Sequence, residues 1–281
     1  MNVLSLQSWV TYGHVGNAAA MFPLQRLGAE VWAVHTVQFS NHTGYGDWAG
    51  SAFDGEAISS IVGGMARLRV LETCDAVLSG YLGTPDIGTA VRDAVFRVKS
   101  ANPRAVYCCD PVIGDDGGIY VRPGIPELLR AELLPAADVA IPNAFELAML
   151  SDIAPTTLST AKAAIARLQS IGPRTVLVSG LATDATPAGS LDLLVGENGA
   201  FHLLRTPRLP VTLNGTGDLL AALFLYHHLV SGAARPALER AASSLFGVIR
   251  MTAEKGSVEL ELIAAQEELI RPSRLFTAIP C

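Results

Sequence analysis

The chain has 281 residues, of which half are hydrophobic and 16% are charged, and its net charge is −6. This length suffices for one large α/β domain or two small ones, and the apolar content excludes a disordered chain. The acidic balance argues against a nucleic-acid partner, because affinity for a phosphate backbone depends mainly on basic patches. The longest apolar run, residues 219–226, is too short to cross a bilayer.

Cysteine usage and the N-terminal segment bear on the cellular compartment. The four cysteines, at positions 74, 108, 109 and 281, include no C-x-x-C spacing, which argues against a structural zinc site. The N-terminus has neither a basic region nor a cleavage site, so we expect no signal peptide. We therefore expect a cytoplasmic protein that binds neither nucleic acid nor membrane.

Short apolar runs alternate with segments of helical spacing through the first two thirds of the chain. The runs predict strands over residues 3–6, 30–37, 76–79, 105–109, 139–141 and 175–179. The helical segments are 18–27, 57–68, 87–100, 125–134, 145–150 and 159–171. This alternation predicts an α/β fold, with a mostly parallel central sheet and helices on both faces. Gly28 and Gly172 stand where helix C-caps are expected.

The pattern changes in the last third of the chain. Two runs, 191–196 and 200–206, flank the turn signal Glu197-Asn198-Gly199 and predict a hairpin at the edge of the sheet. Two long helices follow, over residues 216–231 and 236–253. No linker divides the chain, so we expect a single domain spanning residues 1–281.

The stretch Asn214-Gly215-Thr216-Gly217-Asp218 opens the first of these two helices. The first N–H groups of a helix lack intrahelical partners, and glycines let an anion approach them closely. Asp218, beside that anion site, could take a proton from an attacking hydroxyl group, and we expect the helix start to keep its carboxylate ionised. An isolated G-x-G-D is equally compatible with a helix start that binds nothing.

Polar or Gly/Pro-rich residues follow nearly every predicted parallel strand. In open α/β sheets ligands bind outside the carboxyl ends of the strands, so these residues form a candidate active-site rim. They are Gln7-Ser8, residues 39–43, Gly80-Tyr81, Asp110-Pro111-Val112, Pro142-Asn143 with Glu146, and Ser179-Gly180.

The candidate phosphate chemistry does not match the common nucleotide-binding motifs. G-x-x-x-x-G-K-[ST] and the protein-kinase signatures are absent, and none of the three lysines follows a glycine-rich loop. Phosphoryl transfer would therefore rely on backbone N–H groups, a metal ion and carboxylates. Asp110, Asp115 and Glu146 could hold Mg²⁺. Taken alone, Asp110 and Glu146 are better explained as caps of local turns or helices.

Taken together, these segments resemble the pyridoxal kinases, in the vitamin-kinase branch of the ribokinase-like superfamily. The most specific segment is Val37-Gln38-Phe39-Ser40-Asn41-His42-Thr43, which points to pyridoxal rather than to sugars or hydroxymethylpyrimidine. The other matching segments occur in the family's order over nearly the whole chain. They are Gln7-Ser8, residues 12–17, Ser79-Gly80-Tyr81, residues 109–112, Pro142-Asn143 with Glu146, and residues 215–218.

The resemblance implies an ATP-dependent kinase and a role for each matched residue. Asp218 would deprotonate the 5′-hydroxyl of the substrate, and Gly215, Thr216 and Gly217 would form the anion hole. The pyridine ring would be held by Ser8, Thr43 and Tyr81, with Val15 and Phe39 lining the same pocket. Phe39 by itself is more typical of an ordinary core residue than of a pocket wall. His42 is expected to orient its loop rather than to take part in the chemistry.

On the nucleotide side, Asp110 and Glu146 would organise Mg²⁺ and water near the triphosphate of ATP. Asn143 would reach phosphate, and Ser179 would lie near the nucleotide phosphates. Residues 114–120 match a mobile loop that closes over ATP in the family, and this loop includes the predicted contacts Asp115 and Tyr120. The segment 206–213 departs from the family pattern, so the sequence assigns no adenine contacts.

The resemblance and the apolar content together predict a homodimer that buries part of the sheet's edge region. Two other functions remain open at this stage. One is a hydroxymethylpyrimidine kinase or another small-alcohol kinase on the same fold. The other is a weakly catalytic protein that binds pyridoxal vitamers. The intact Asp218 and Gly-Thr-Gly turn favour an enzyme, because a carrier needs no base at that position.

Overall fold

Parallel strands form the centre of a ten-stranded sheet in the computed structural model, which describes residues 1–281. Their order across the sheet is β2-β1-β4-β5-β8-β9, with every neighbouring pair parallel. The mostly parallel sheet predicted from the sequence is therefore confirmed. These strands are β1 (Asn2–Val10), β2 (Glu30–Phe39), β4 (Ala76–Ser79), β5 (Val106–Cys109), β8 (Val139–Ala140) and β9 (Thr175–Leu181).

Antiparallel strands complete both edges of the sheet. At one edge β10 (Ser190–Glu197) and β11 (Ala200–Pro207) form the expected hairpin, and β12 (Ile279–Pro280) pairs with β11. The two turn residues of the β10–β11 hairpin have positive φ angles, 51° at Asn198 and 79° at Gly199, as the twist of a two-residue hairpin requires. At the other edge lies β3 (Gly50–Ala52), paired with β2. β3 and β12 were not predicted, because three and two residues show no periodicity.

Helices cover both faces of the sheet and enclose two apolar cores. One core contains buried residues of α2, α3, α6 and α7, and the other contains residues of α1, α8, α9 and α10. Alternation along the strands feeds both cores, because successive side chains point to opposite faces: Leu4 lies in one core and Val3 in the other. The helices are α1 (Asn17–Arg26), α2 (Gly55–Arg67), α3 (Pro85–Ala101), α4 (Ile125–Leu128), α5 (Leu134–Ala136), α6 (Ala144–Ser151), α7 (Leu158–Gln169), α8 (Thr216–Ser231), α9 (Ala234–Glu254) and α10 (Gln266–Ile270).

Three details differ from the sequence-based expectations. The helix predicted over 125–134 is interrupted, because a π-helical segment, Leu129–Leu133, separates α4 from α5. The short helix α10 was not predicted. Gly28 caps α1 with φ +96°, as expected, but Gly172 does not have a positive φ angle. A Cβ atom on Gly172 would lie 2.3 Å from the carbonyl oxygen of Leu134, so glycine there permits a close backbone approach.

No helix combines the length and the apolar character that a membrane span would require.

Candidate active site

A cleft of about 870 Å³ opens at the carboxyl ends of the parallel strands. Every residue that the sequence assigned to the site lines it, although these residues come from segments spread over more than two hundred positions. The structure therefore brings the predicted set together, while the role of each residue stays a prediction. The set is Ser8, Val15, Phe39, Thr43, Tyr81, Asp110, Asp115, Tyr120, Asn143, Glu146, Ser179, Gly215, Thr216, Gly217 and Asp218.

The start of α8 presents free backbone N–H groups to the cleft. Gly215 is the N-cap residue, with φ +81° and ψ −3°, and no side chain caps the helix. A Cβ atom at Gly215 would lie 1.8 Å from the carbonyl oxygen of His14, so both backbone conformation and packing require glycine. At Gly217 a Cβ atom would meet nothing within 4 Å. The N–H groups of the first turn are thus open to an anion.

Asp218 lies in this first turn, partly buried. The backbone N–H groups of Gly16 and of Asp218 itself lie near its carboxylate and favour the ionised form. Burial has the larger effect and raises the pKa of Asp218 above its ordinary value. Desolvation thus opposes the helix start at this carboxylate, and the expectation that Asp218 is ionised at neutral pH stays a prediction. A raised pKa makes the carboxylate a better proton acceptor.

Glu146 is 3% exposed, and three backbone N–H groups surround its carboxylate. Oε1 accepts from Ile113 at 2.9 Å and from Gly114 at 3.5 Å, and Oε2 accepts from Asn143 at 2.9 Å. Asn143 Oδ1 in turn accepts from the N–H of Glu146, which completes a capping box at the start of α6. Burial nevertheless raises the pKa of Glu146 to about 7. Glu146 therefore does cap the start of α6, as the sequence analysis considered.

Asp110 follows β5 and is 6% exposed. Burial raises its pKa well above the ordinary value, and the negative charges of Glu146 and Asp218 raise it further. No group of three or more His, Cys, Asp or Glu side chains is arranged to hold a metal ion. The protein alone therefore provides no metal cage, and a cation here would need water and phosphate oxygens in addition to carboxylate.

Residues 114–120 form a short hairpin instead of an irregular loop. β6 (Gly114–Asp115) pairs with β7 (Gly118–Ile119), and Asp115 Oδ1 accepts a hydrogen bond from Gly117 N–H at 2.8 Å. Asn143 Nδ2 donates to the Gly114 carbonyl at 2.8 Å and thereby ties the hairpin to α6. The hairpin carries Asp115, with Tyr120 just beyond it, to the rim of the cleft.

The end of the cleft near β1, β2 and β4 has apolar walls and few polar groups. Ser8 is 7% exposed and lies where the register between β1 and β2 shifts. Phe39 packs against Trp48 with ring centroids 4.1 Å apart. The Tyr81 carbonyl accepts a hydrogen bond from Thr36 Oγ1 at 2.6 Å, and burial raises the pKa of the Tyr81 hydroxyl. A small, largely apolar ring with a polar edge suits such a pocket.

The opposite end of the cleft has a wall that sequence reasoning missed. It is apolar, and it combines the β10–β11 hairpin, the segment after β11 and one face of α9. The exposed cation Arg208 stands at its rim without an ion-pair partner. No motif marks this wall, since its residues are separated in sequence and individually typical of a core. They include Leu191, Leu193, Leu209, Val211, Leu245, Phe246 and Ile249.

Fold and cleft together define a ribokinase-like enzyme that transfers a phosphoryl group to a small alcohol. The sequence model of the phosphomethylpyrimidine kinase family matches residues 66–260. The chain is 58% identical to pyridoxal kinase PdxY of Granulibacter bethesdensis over the full length of both proteins. It is 49% identical to pyridoxal kinase PdxY of Deinococcus radiodurans, over 99% of this chain and 95% of that protein.

Solved structures give the same result. Pyridoxal kinase from Leishmania donovani, in complex with ADP and pyridoxamine, has a TM-score of 0.93 at 34% identity. The alignment covers 100% of this chain and 99% of the other. Pyridoxal kinase from Entamoeba histolytica has a TM-score of 0.91 at 26% identity, with the same coverage. The chain belongs to the pyridoxal kinase branch of the phosphomethylpyrimidine kinase family.

The raised pKa of Asp110 leads to a prediction about stability. Replacing Asp110 by Asn should raise the Tm of the ligand-free protein at pH 8 by a few degrees. A gain of about 1 kcal/mol in the free energy of unfolding produces such a shift in a protein of this length. Because the folded pKa of Asp110 exceeds its unfolded value, ionisation destabilises the folded state increasingly as pH rises. The difference in Tm should therefore be small near about pH 4 and grow towards about pH 8.

The measurement is thermal unfolding by circular dichroism, without nucleotide or Mg²⁺. Asp184→Asn is the control, because Asp184 is exposed and lies outside the cleft. The difference in Tm between this control and the parent should not grow as pH rises. A D110N protein less stable than the parent at pH 8 would contradict the proposed repulsion among the three carboxyl groups.

Proposed function

We propose that the protein transfers the γ-phosphoryl group of ATP to the 5′-hydroxyl of pyridoxal, giving pyridoxal 5′-phosphate and ADP, with pyridoxine and pyridoxamine as further substrates. The observation that carries this proposal is the position of Asp218 and the free N–H groups at the start of α8. Asp218 contacts the segment after β1 through Gly16 and also lies close enough to Asp110 and Tyr120 to raise their pKa values. Asp218, the proposed base, thus lies between the vitamer end and the nucleotide end of the cleft.

The chemistry follows from this position. Asp218 takes the proton of the 5′-hydroxyl as its oxygen attacks the γ-phosphorus, and the bond from that phosphorus to the bridging oxygen of ADP breaks. The N–H groups of Gly215, Thr216 and Gly217 stabilise the negative charge on the transferred group. Ser8, Thr43 and Tyr81 hold the pyridine ring, with Val15 and Phe39 against its apolar surface. The raised pKa of Asp218 favours proton acceptance.

The nucleotide takes the rest of the cleft. ADP is bound in several pyridoxal kinase structures from Leishmania donovani, which supports ATP as the donor. In this proposal the triphosphate runs past Asn143 and Ser179, and the β6–β7 hairpin covers it with Asp115 and Tyr120. The apolar wall, with Arg208 at its rim, binds the adenine ring.

Mg²⁺ accompanies ATP in this proposal and would supply charge neutralisation of the phosphates when bound. The donor chemistry fits: Asp110 and Glu146 are buried carboxyls whose raised pKa values a cation would lower. Glu146 already accepts three backbone hydrogen bonds, so Asp110 is the better direct ligand and Glu146 would act through water. We further propose that the chain works as a single kinase domain in the cytoplasm.

A second candidate is a hydroxymethylpyrimidine kinase, favoured by the family model that matches residues 66–260. A weakly catalytic vitamer-binding protein is the third. An ADP-release assay on pyridoxal, pyridoxine, pyridoxamine and hydroxymethylpyrimidine separates them. We expect turnover of the three vitamers and much slower turnover of the pyrimidine. Preference for the pyrimidine would support the second candidate, and stoichiometric binding without ADP release would support the third.

Replacing Asp218 by Asn tests the base. The shape is kept while the proton acceptor is lost, so kcat should fall by roughly 10² to 10⁴. ADP affinity, measured by calorimetry, should change much less. Asp184→Asn is the matched control outside the cleft and should leave kcat unchanged. Asp218 is not the base if the Asn variant keeps more than about half of the parent kcat.

Replacing Ser8 and Tyr81 together by Ala tests the ring pocket. Loss of a hydrogen bond and of an aromatic wall should cost about 2–4 kcal/mol of transition-state stabilisation in kcat/KM for pyridoxal. Thermal protection by ATP should persist, because neither side chain lies in the nucleotide end of the cleft. Pyridoxal turnover equal to that of the parent would mean that the ring is held elsewhere, and only a generic small-alcohol kinase would then be supported.

The homodimer is the remaining part of the proposal, and the free edge at β3 is its candidate interface. Trp48 and Phe53 flank β3, and each is more than 40% exposed. Exposed large apolar side chains beside an unpaired strand edge are typical of an association surface. Size-exclusion chromatography with light scattering at micromolar concentration should give about 59 kDa, twice the chain mass of 29.5 kDa. The mass of one chain would exclude the dimer.

A further inference from the structure

One buried carboxylate outside the catalytic cleft joins the two strand-end segments that carry the substrate pocket. It belongs to Glu259, which follows α9 and is 8% exposed. Glu259 Oε2 accepts the backbone N–H of His14 at 2.9 Å, and Oε1 accepts the Tyr45 hydroxyl at 2.7 Å. His42 Nε2 lies 3.3 Å from Oε1 and is the only basic group paired with Glu259. The mechanism above uses none of these contacts.

Packing around the carboxylate is close. A Cβ atom on Gly13 would lie 2.5 Å from Glu259 Oε2 and 2.7 Å from Oε1, so the chain after β1 passes directly against it. The ring of His42 also packs on that of Tyr45, with centroids 4.5 Å apart. The hydrogen bond to Glu259 raises the pKa of Tyr45 to about 12, as expected for a hydroxyl that donates to a carboxylate.

The segment after β1 links Glu259 to the base. It contains His14, whose carbonyl oxygen packs against Gly215 at the start of α8. Two residues further on, the backbone N–H of Gly16 lies near the Asp218 carboxylate and favours its ionised form. A shift of His14 would therefore move both the anion hole and the N–H group beside Asp218.

The segment after β2 links Glu259 to the ring pocket. His42, Thr43 and Gly44 line the cleft, and residues Thr43–Tyr45 form one 3₁₀ turn. Since Glu259 holds the residues at both ends of this stretch, His42 and Tyr45, it fixes where Thr43 stands. The two segments reach Glu259 from different strands and have no other carboxylate in common.

We propose that Glu259 is a positioning residue that holds the segments after β1 and β2 together, and so sets the place of Thr43 and the orientation of Asp218 for vitamer phosphorylation. This inference rests on the proposed function, because it names a residue that acts through the base and the ring pocket. Glu259 lies outside the nucleotide end of the cleft, so its removal should leave the KM for ATP nearly unchanged.

Steady-state kinetics of Glu259→Ala with pyridoxal and ATP test the proposal. Misplacement of the reacting groups by a fraction of an ångström should lower kcat/KM for pyridoxal by about tenfold or more. KM for ATP should stay within about twofold of the parent value. The control is Glu261→Ala, which removes the same charge two residues away, where the carboxylate pairs with Lys255 at 2.9 Å. It should leave both parameters near those of the parent.

Two results would overturn the proposal. One is an unchanged kcat/KM for pyridoxal, and the other is a rise in the KM for ATP as large as the loss in kcat/KM for pyridoxal, which would indicate a general structural role. If the Ala variant does not fold, Glu259→Gln decides by the same criterion. Gln keeps the shape of the side chain but has one acceptor oxygen where Glu has two. A threefold or greater loss selective for pyridoxal would support the proposal, on the scale of about one weakened hydrogen bond.

Hydrogen exchange separates this inference from the proposed function. Amides in residues 11–16 and 40–46 should exchange faster in Glu259→Ala than in Glu261→Ala, whatever the substrate. Faster exchange with no kinase activity in the parent would refute the proposed function while keeping the link between the segments. An active parent whose two segments exchange at unchanged rates in the Ala variant would refute the positioning role alone.

Discussion

The free N–H groups at the start of α8 are the constraint around which the cleft is built. They stay free because Gly215 adopts a left-handed conformation and no side chain caps the helix. The His14 carbonyl occupies the space where a Cβ of Gly215 would stand, so the segment after β1 is fixed to the same turn. The N–H of Gly16, in the same segment, lies near the Asp218 carboxylate. The proposed anion site, the setting of the proposed base and the position of one pocket wall therefore depend on one helix start.

Stability and function are opposed at this site. Burial holds the pKa values of Asp110, Glu146 and Asp218 above their ordinary values, and the negative charges of Glu146 and Asp218 raise that of Asp110 further. Without a ligand this arrangement is unfavourable for the folded protein. The three N–H groups around Glu146 offset part of the cost, and those of Ile113 and Gly114 also fasten the β6–β7 hairpin to α6. Buried carboxyl groups with raised pKa values in a cleft are typical of a binding or catalytic site.

Sequence reasoning found those parts of the fold that have periodicity or a turn signal. The predicted strand over 76–79 and the helix over 216–231 agree residue for residue with β4 and α8, because their apolar patterns end at clear breaks. β3, β12 and α10 have two to five residues and carry too little pattern to detect. At Gly172 the sequence indicated a cap, whereas the reason for glycine is the carbonyl of Leu134, nearly forty residues away in the chain. No local pattern contains such a contact.

For the site, the sequence by itself determined which residues line the cleft, since a glycine-rich helix start and polar strand ends are local features and parallel strands bring them to one edge. Tertiary structure decided their state. Burial, which depends on every neighbouring element, raises the pKa of Asp218. Tertiary packing also assembled the apolar wall from β10, the segment after β11 and α9, and placed Glu259 between two distant segments. Desolvation and long-range hydrogen bonds are properties of the packed chain, and for that physical reason they could not be read from the order of its residues.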